Sequence, residues 1–270
     1  MIRLPSPGDE IDYLDKDEFY TQIKKPGVYE DYDNRLPEYW DMIYGDRAKT
    51  IKLYAKGNIL LDVGCGSGRA LMRLVGHGFD AYGVEPSQTA ISRSVGLQSR
   101  ITRGLWPGCI THKQYYNVVY IEQVLSHTPD ISQMLKGAWD ILAPNGIIVI
   151  EEPNDFSYLQ KAVVDAGLNK PEYWKCRDHV NYGSYKFWMD RLERAGFRCL
   201  EMQGTWPMEW FALSGDNYFG NDALGKTCHE KRYKILSSMT FSKRQELGQS
   251  FAKIGIGRDI LIYAQKVSLP

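Results

Sequence analysis

The chain is short of several things that would point elsewhere. It carries only five cysteines in 270 residues: Cys65, Cys109, Cys176, Cys199 and Cys228. They are odd in number and scattered, without the close pairing that a zinc site or a disulfide framework shows. Reduced thiols are expected, with a cytoplasmic setting and no metal site. There is no excess of charge of either sign, since 33 Lys and Arg balance 33 Asp and Glu. That balance argues against a protein that grips nucleic acid through gross charge. No apolar run approaches the roughly 20 residues that span a bilayer. The opening "MIRLPSPGDEIDYLDKDEF" is acidic and has no signal-peptide apolar region. No internal repeat or low-complexity segment is present.

What the chain does have is 43% hydrophobic residues, enough for a substantial core, and a rhythm. "NILLDVG" reads as a buried strand and "GRALMRLVGHG" as a helix. "FDAYGVEP" is a second strand, and the helix "SQTAISRSVG" follows it, with Ser87 as its cap. "SRITRG" is a short, weak strand. "YNVVYIEQV", "DISQMLKGAWDIL" and "GIIVIEEP" then read as strand, helix and strand. This alternation predicts an α/β fold with a parallel sheet and helices on both faces. Beyond Pro153 the rhythm loosens. "SYKFWMDRLERAG" is an amphipathic helix, "FRCLEMQGTW" a strand and "GRDILIYAQKV" a final strand. Residues 1–50 are aromatic-rich and predict one or two short helices capping the core. Residues 51–203 form that core, 204–256 an insert of lid, binding-loop or purely structural character, and 257–267 the last strand of a single domain.

The stretch "LLDVGCGSG" places Gly64, Gly66 and Gly68 between a strand and a helix. Glycine in a strand or helix interior costs roughly 0.5–1 kcal/mol relative to alanine. Three together signal a backbone that must approach a ligand closely. The spacing differs from the G-x-G-x-x-G of nicotinamide-dependent dehydrogenases, because Arg69 follows the third glycine. Asp62 precedes the turn. Glu85, at the end of the second strand, is placed either to accept hydrogen bonds from ribose hydroxyls or to cap the helix at Ser87.

These residues resemble the cofactor-binding segments of class I S-adenosylmethionine-dependent methyltransferases. The likeness covers roughly residues 58–152. "IEQVLSHTPD" matches the segment after the fourth strand, and "ILAPNGIIVIEEP" the fifth strand with its preceding turn. The resemblance implies a Rossmann-like doubly wound sheet of seven strands, the last antiparallel. S-adenosyl-L-methionine would lie across its carboxyl edge. Carried over by position, Gly64, Cys65, Gly66 and Gly68 would line the methionine part, with Asp62 also among the cofactor-binding residues; Glu85 would hold the ribose, and Pro86 and Ser87 would flank the ribose or adenine. Gly104, Leu105 and Trp106 stand where the family often has an acidic residue near adenine, so ring packing by Leu105 or Trp106 would substitute. Glu122 and Gln123 would sit beside the methyl, and Tyr32, Tyr39 and Trp40 would either close over the cofactor or belong to an amphipathic helix that covers a sheet edge.

The insert "TWPMEWFALSGDNYFGNDALGKTCHEKR" is also similar to methyltransferases of bacterial surface carbohydrates. The expected reaction is O-methylation of a small molecule, carbohydrate or anionic in character. Lys226, Lys231, Arg232, Lys234, Lys243 and Arg244 form either a solvated face or an anion site. Alternatives are a methyltransferase of protein or nucleic acid, or a cofactor-binding protein without catalysis. "IEQV" stands where amino-methylating enzymes carry Asn/Asp-Pro-Pro-Tyr. A hydroxyl acceptor calls for a base, and His179 and His127 are the candidates, His179 first.

Overall fold

A computed structural model describes residues 36–176 and 178–267. Seven strands form one sheet: β1 (Ile59–Val63), β2 (Asp80–Glu85), β3 (Ile101–Arg103), β4 (Tyr116–Glu122), β5 (Leu142–Pro153), β6 (Phe197–Gly204) and β7 (Asp259–Lys266). Their order is β3-β2-β1-β4-β5-β7-β6, and β7 runs antiparallel to both its neighbours. This is the expected Rossmann-like topology with its antiparallel last strand. The order reverses between β1 and β4, the switch point outside which an open α/β sheet binds ligands.

Alternate residues of the central strands face opposite sides of the sheet. On one side Leu61, Val119, Ile121, Ile148, Ile150 and Ile262 pack under helices α4 (Ile131–Ile141) and α6 (Tyr185–Arg194). On the other, Leu60, Val118, Tyr120, Val149 and Tyr263 pack under α1 (Pro37–Tyr54) and α2 (Arg69–Gly76). Strands buried on both faces read as continuous apolar runs, which is why "GIIVI" shows no alternation.

Of the amino-terminal segment expected to hold one or two short helices, the described residues form one helix of 18 residues, opened by Pro37 in its first turn, where the missing N–H costs nothing. The stretch 207–256 is no long loop. It folds into α7 (Glu209–Leu213), α8 (Asp222–Ser237) and α9 (Phe241–Ile254), and α9 covers β6. The remaining helices are α3 (Gln88–Ser92) and α5 (Tyr158–Asp165). Ser87 caps α3, its side chain accepting from the Ala90 N–H at 3.2 Å. Among the described residues no helix is long and apolar enough to cross a membrane.

Candidate active site

The glycine turn lies at the carboxyl end of β1. Gly64, Gly66 and Gly68 adopt φ of 71°, 55° and 81°, a region that side-chain-bearing residues rarely enter. At Gly64 a Cβ would stand 2.5 Å from Val124 Cγ2, so this turn packs directly on the loop after β4. Cys65 turns its thiol toward Gly83, where a Cβ would stand 2.6 Å from the sulfur, and leaves its backbone to line the turn. Burial pushes that thiol well above the usual cysteine range.

The two acidic residues behave differently. Glu85 is buried, and its carboxylate accepts from the Gly66 N–H and the Ser87 N–H, both at 2.9 Å. It therefore braces the glycine turn against the start of α3, close to the capping role the sequence left open. Asp62 is 2% exposed, and its Oδ2 has no hydrogen-bond partner among the described residues. Burial first, then the negative charges of Glu122 and Glu85, push its carboxyl well above the usual range. A buried acceptor without a donor costs about 1–3 kcal/mol. An amino group or hydroxyl brought in by a ligand would satisfy it. The residues thus fit S-adenosylmethionine: a turn open to close approach, an orphaned acidic oxygen beside it, and Glu85 at the neighbouring strand end.

Glu122, at the end of β4, is held from below the α1 helix. Its carboxylate accepts from Tyr44 at 2.9 and 3.0 Å and from Tyr120 at 3.0 Å, and pairs with Arg47 Nη1 at 3.1 Å. Arg47 also pairs with Glu151 on β5. One guanidinium thus serves two buried carboxylates, and they divide accordingly. Burial opposes ionisation of Glu122, but Arg47, Arg69 and the two phenols outweigh it and lower its pKa. Burial and the Glu122 charge raise that of Glu151. Trp40 lies nearby with the Arg69 guanidinium 4.4 Å over its ring, so α1 does stand at this edge. Tyr32 lies outside the described residues.

Gln123 has φ of 56°, and its amide donates to Asp259 Oδ1 at 3.3 Å, across to the start of β7. Gly104 is close-packed, since a Cβ there would meet Cys109 Cβ at 2.6 Å. Trp106 is engaged in the core, its indole N–H donating to the Met134 carbonyl at 3.1 Å. That leaves half-buried Leu105 as the residue available to pack on adenine, with Pro86 beside Ser87.

The two candidate histidines come together although 52 positions separate them. Val180 and Asn181 donate backbone N–H bonds to the Ser126 carbonyl, at 2.9 and 3.1 Å. The Asn181 amide donates to the Leu125 and Thr128 carbonyls at 2.9 and 2.6 Å. This stitching sets the His127 and His179 rings edge to face, 4.6 Å apart. His127 Nδ1 lies 3.0 Å from the Asp178 carbonyl oxygen and 3.5 Å from its Oδ2.

Sequence reasoning assigned no role to Glu152. It is fully buried, and its carboxylate accepts three backbone N–H bonds from the loop carrying His127: Val124 at 3.0 Å, Leu125 at 2.6 Å and Ser126 at 3.1 Å. Burial pushes its pKa up to about 7 despite these donors. The signal was there in "IEEP", where two carboxylates end an otherwise apolar strand. A folded-state pKa above the unfolded value of about 4.3 means the native state holds the proton longer. Stability from this group is full below about pH 4.3 and falls as pH rises to about 7. Glu152→Gln is expected to remove that part of the slope. The stability of the native chain relative to the variant should fall by about 3 kcal/mol across this window. Urea unfolding of both proteins at several pH values checks it, and parallel curves would refute it.

The segments that follow β5 and β6 are tied to the stretch before β7. The Asn154 amide donates to the Gly255 and Gly257 carbonyls at 3.1 and 2.9 Å, and its oxygen accepts from the Tyr185 N–H at 2.9 Å. Glu209 on α7 pairs with Arg258 at 3.0 Å and accepts from Tyr173 at 3.3 Å. Tyr173 packs on Phe219 with ring centres 4.8 Å apart. The basic run of the insert is largely engaged internally. Lys231 pairs with Asp216, Lys243 with Glu246 and Arg244 with Asp46, while Arg232 lies over the Tyr39 ring.

Comparison with known proteins agrees with this geometry. A family model described as a methyltransferase domain matches residues 34–202. Ubiquinone biosynthesis O-methyltransferase from Azorhizobium caulinodans is 26% identical over 117 residues, 41% of this chain and 46% of the relative. The same-named protein from a Shewanella species is 29% identical over 108 residues, 36% of this chain and 44% of the relative. The chain thus spans about half the length of the curated relatives it matches. Among solved structures, an S-adenosylmethionine-dependent methyltransferase from Archaeoglobus fulgidus superposes with a TM-score of 0.56 at 16% identity, covering 88% of this chain and 100% of that one. One from Thermotoga maritima gives 0.56 at 16% identity over 88% and 97%. With its glycine turn and strand order in place, the chain belongs to the methyltransferase-domain family as a class I, S-adenosylmethionine-dependent member.

Proposed function

We propose that the protein methylates a hydroxyl oxygen of a small molecule. The carrying observation is the loop 123–127, which meets the glycine turn through Val124 and brings His127 and His179 to the same edge. Bound S-adenosylmethionine supplies an electrophilic methyl group. The chain's own residues do the rest. Asp62, Glu85 and the three glycines bind and orient the cofactor. Asn154, Gln123 and Asp259 fix the segments that enclose the acceptor. His179 takes the hydroxyl proton, a step worth about 100- to 10,000-fold in rate. Cys65, Pro86, Ser87, Gly104, Leu105, Glu122 and Trp40 complete the cofactor surroundings in this reading, and Trp106 supports them from the core.

A polyhydroxylated, sugar-like acceptor is the preferred class. Tyr173 and Phe219 offer ring faces next to the Glu209 carboxylate, which already accepts from one hydroxyl, that of Tyr173. The insert that resembles carbohydrate methyltransferases contributes Glu209 and Phe219 to this group. With its lysines and arginines largely paired, an anionic acceptor has less support than a neutral one. The ubiquinone-biosynthesis relatives favour a second reading, a phenolic acceptor, for which the same aromatic faces would serve.

Calorimetry should show S-adenosylmethionine and its demethylated product binding in the micromolar range. A panel of sugars, sugar phosphates and phenols should yield demethylated cofactor with hydroxyl-bearing compounds. No heat with either cofactor form, beside a clear response to a nicotinamide dinucleotide, would overturn the reading.

A further inference from the structure

We infer that His127, Asp178 and His179 form a binding site for one divalent transition-metal ion at the acceptor side of the carboxyl edge. One donor atom from each of the three lies within 4.8 Å of the others, and among the described residues no other group of three metal-binding side chains comes so close. The scattered cysteines gave no hint of this, because the ligands come from two loops that only folding joins.

The spacing is close to what an ion needs. Bonds of about 2.0–2.2 Å to nitrogen or oxygen put two donors on one ion roughly 3.3 Å apart at a tetrahedral centre. His127 Nδ1 and Asp178 Oδ2 are already 3.5 Å apart. With every donor pair within 4.8 Å, no separation exceeds the need by more than about 1.5 Å, within reach of a turn about the histidine χ angles. All three side chains are partly buried, with His127 and Asp178 at 21% and 13% exposure, so the site is open on one side. Three protein ligands with an open position is the arrangement of reactive metal centres, in contrast to closed four-ligand structural ones.

The backbone gives this cluster rigidity. The bonds from residues 180 and 181 to the Ser126, Leu125 and Thr128 carbonyls lock one loop to the other. Glu152 anchors the loop on the far side. Two imidazoles and one carboxylate suit zinc, cobalt, nickel or iron(II), and disfavour the all-oxygen ions magnesium and calcium. The use of the ion rests on the O-methylation proposed above. There it would bind the acceptor oxygen directly, favouring acceptors with two adjacent oxygens, and His179 would be its ligand in place of base.

The test loads the metal-free full chain with Zn2+, Co2+ or Mg2+, dialyses it and measures retained metal by elemental analysis. Cobalt is also followed by its visible absorption. One equivalent of zinc or cobalt per chain is expected, with no magnesium. His127→Ala, His179→Ala and Asp178→Asn should each weaken retention by about tenfold or more. His179→Gln replaces the alanine variant should that one not fold. No retained ion, or retention unchanged in all the variants, would overturn the inference. Calorimetry with S-adenosylhomocysteine on the same samples separates the two readings. Cofactor binding without a retained ion overturns only the metal site, and a retained ion without cofactor binding overturns only the proposed function.

Discussion

Gly66→Val is expected to abolish S-adenosylmethionine binding, by more than about a hundredfold, in a protein that still folds. A hundredfold loss is about 2.7 kcal/mol. Two effects combine to reach it. Gly66 sits at φ of 55°, and its N–H is held 2.9 Å from Glu85. A β-branched side chain in that region costs on the order of 1–3 kcal/mol, against a typical stability of about 5–15 kcal/mol, so the fold survives. The side chain would also fill the space into which a ligand must come. Gly78→Val separates the two contributions. Gly78 has φ of 89° but lies in the turn between α2 and β2, at the opposite edge of the sheet. It should lose comparable stability and bind normally. Calorimetry and thermal unfolding on both variants decide the matter. Normal binding by Gly66→Val would mean that the turn does not hold the cofactor.

His179→Ala is expected to lower turnover by about 100- to 10,000-fold while cofactor affinity barely changes. His179 lies on a segment stitched to the loop after β4, while the proposed cofactor cradle comprises Gly64–Gly68, Asp62 and Glu85. Its removal leaves the cradle intact. His127→Ala should do less, since its ring is held by the Asp178 carbonyl oxygen and stands behind His179 in the proposed role. Turnover with saturating cofactor, paired with calorimetry, tests both. Near-normal turnover in His179→Ala would remove it from the reaction.

The cofactor half was legible in the sequence for physical reasons. Parallel strands buried on both faces leave unbroken apolar runs, and a backbone with positive φ demands glycine. Those signals are local. The histidine pair was legible only as two separate candidates, because their juxtaposition depends on Asn181 and Ser126, whose bonds run between loops about fifty residues apart. Glu152 and Arg47 escaped for a related reason. A buried charge is recognisable only with its partners, and those lie on other elements. The helices of 207–256 were hidden by weak patterning. In α8 only Cys228 and Leu236 are buried, so no apolar stripe marks it. Trp106, expected near adenine, packs its ring in the core, an orientation that its place along the chain does not reveal.

The placing of β7 sets an order of events during synthesis. Strands β1 to β5 can pair among themselves once the chain has reached Pro153. β6 cannot join them, since its one neighbour in the sheet is β7, which begins 55 residues after β6 ends. A nascent chain therefore holds a completed cofactor platform beside a strand with both edges unpaired, which is a template for intermolecular association. Asp259, the partner of Gln123 and Thr205, arrives on the same late strand. In the proposed reading the cradle for the donor is thus assembled early, and the surroundings of the acceptor only when β7 slides between β5 and β6. A ribosome-stalled chain ending shortly before Asp259 would bind cofactor yet lack the closed acceptor side.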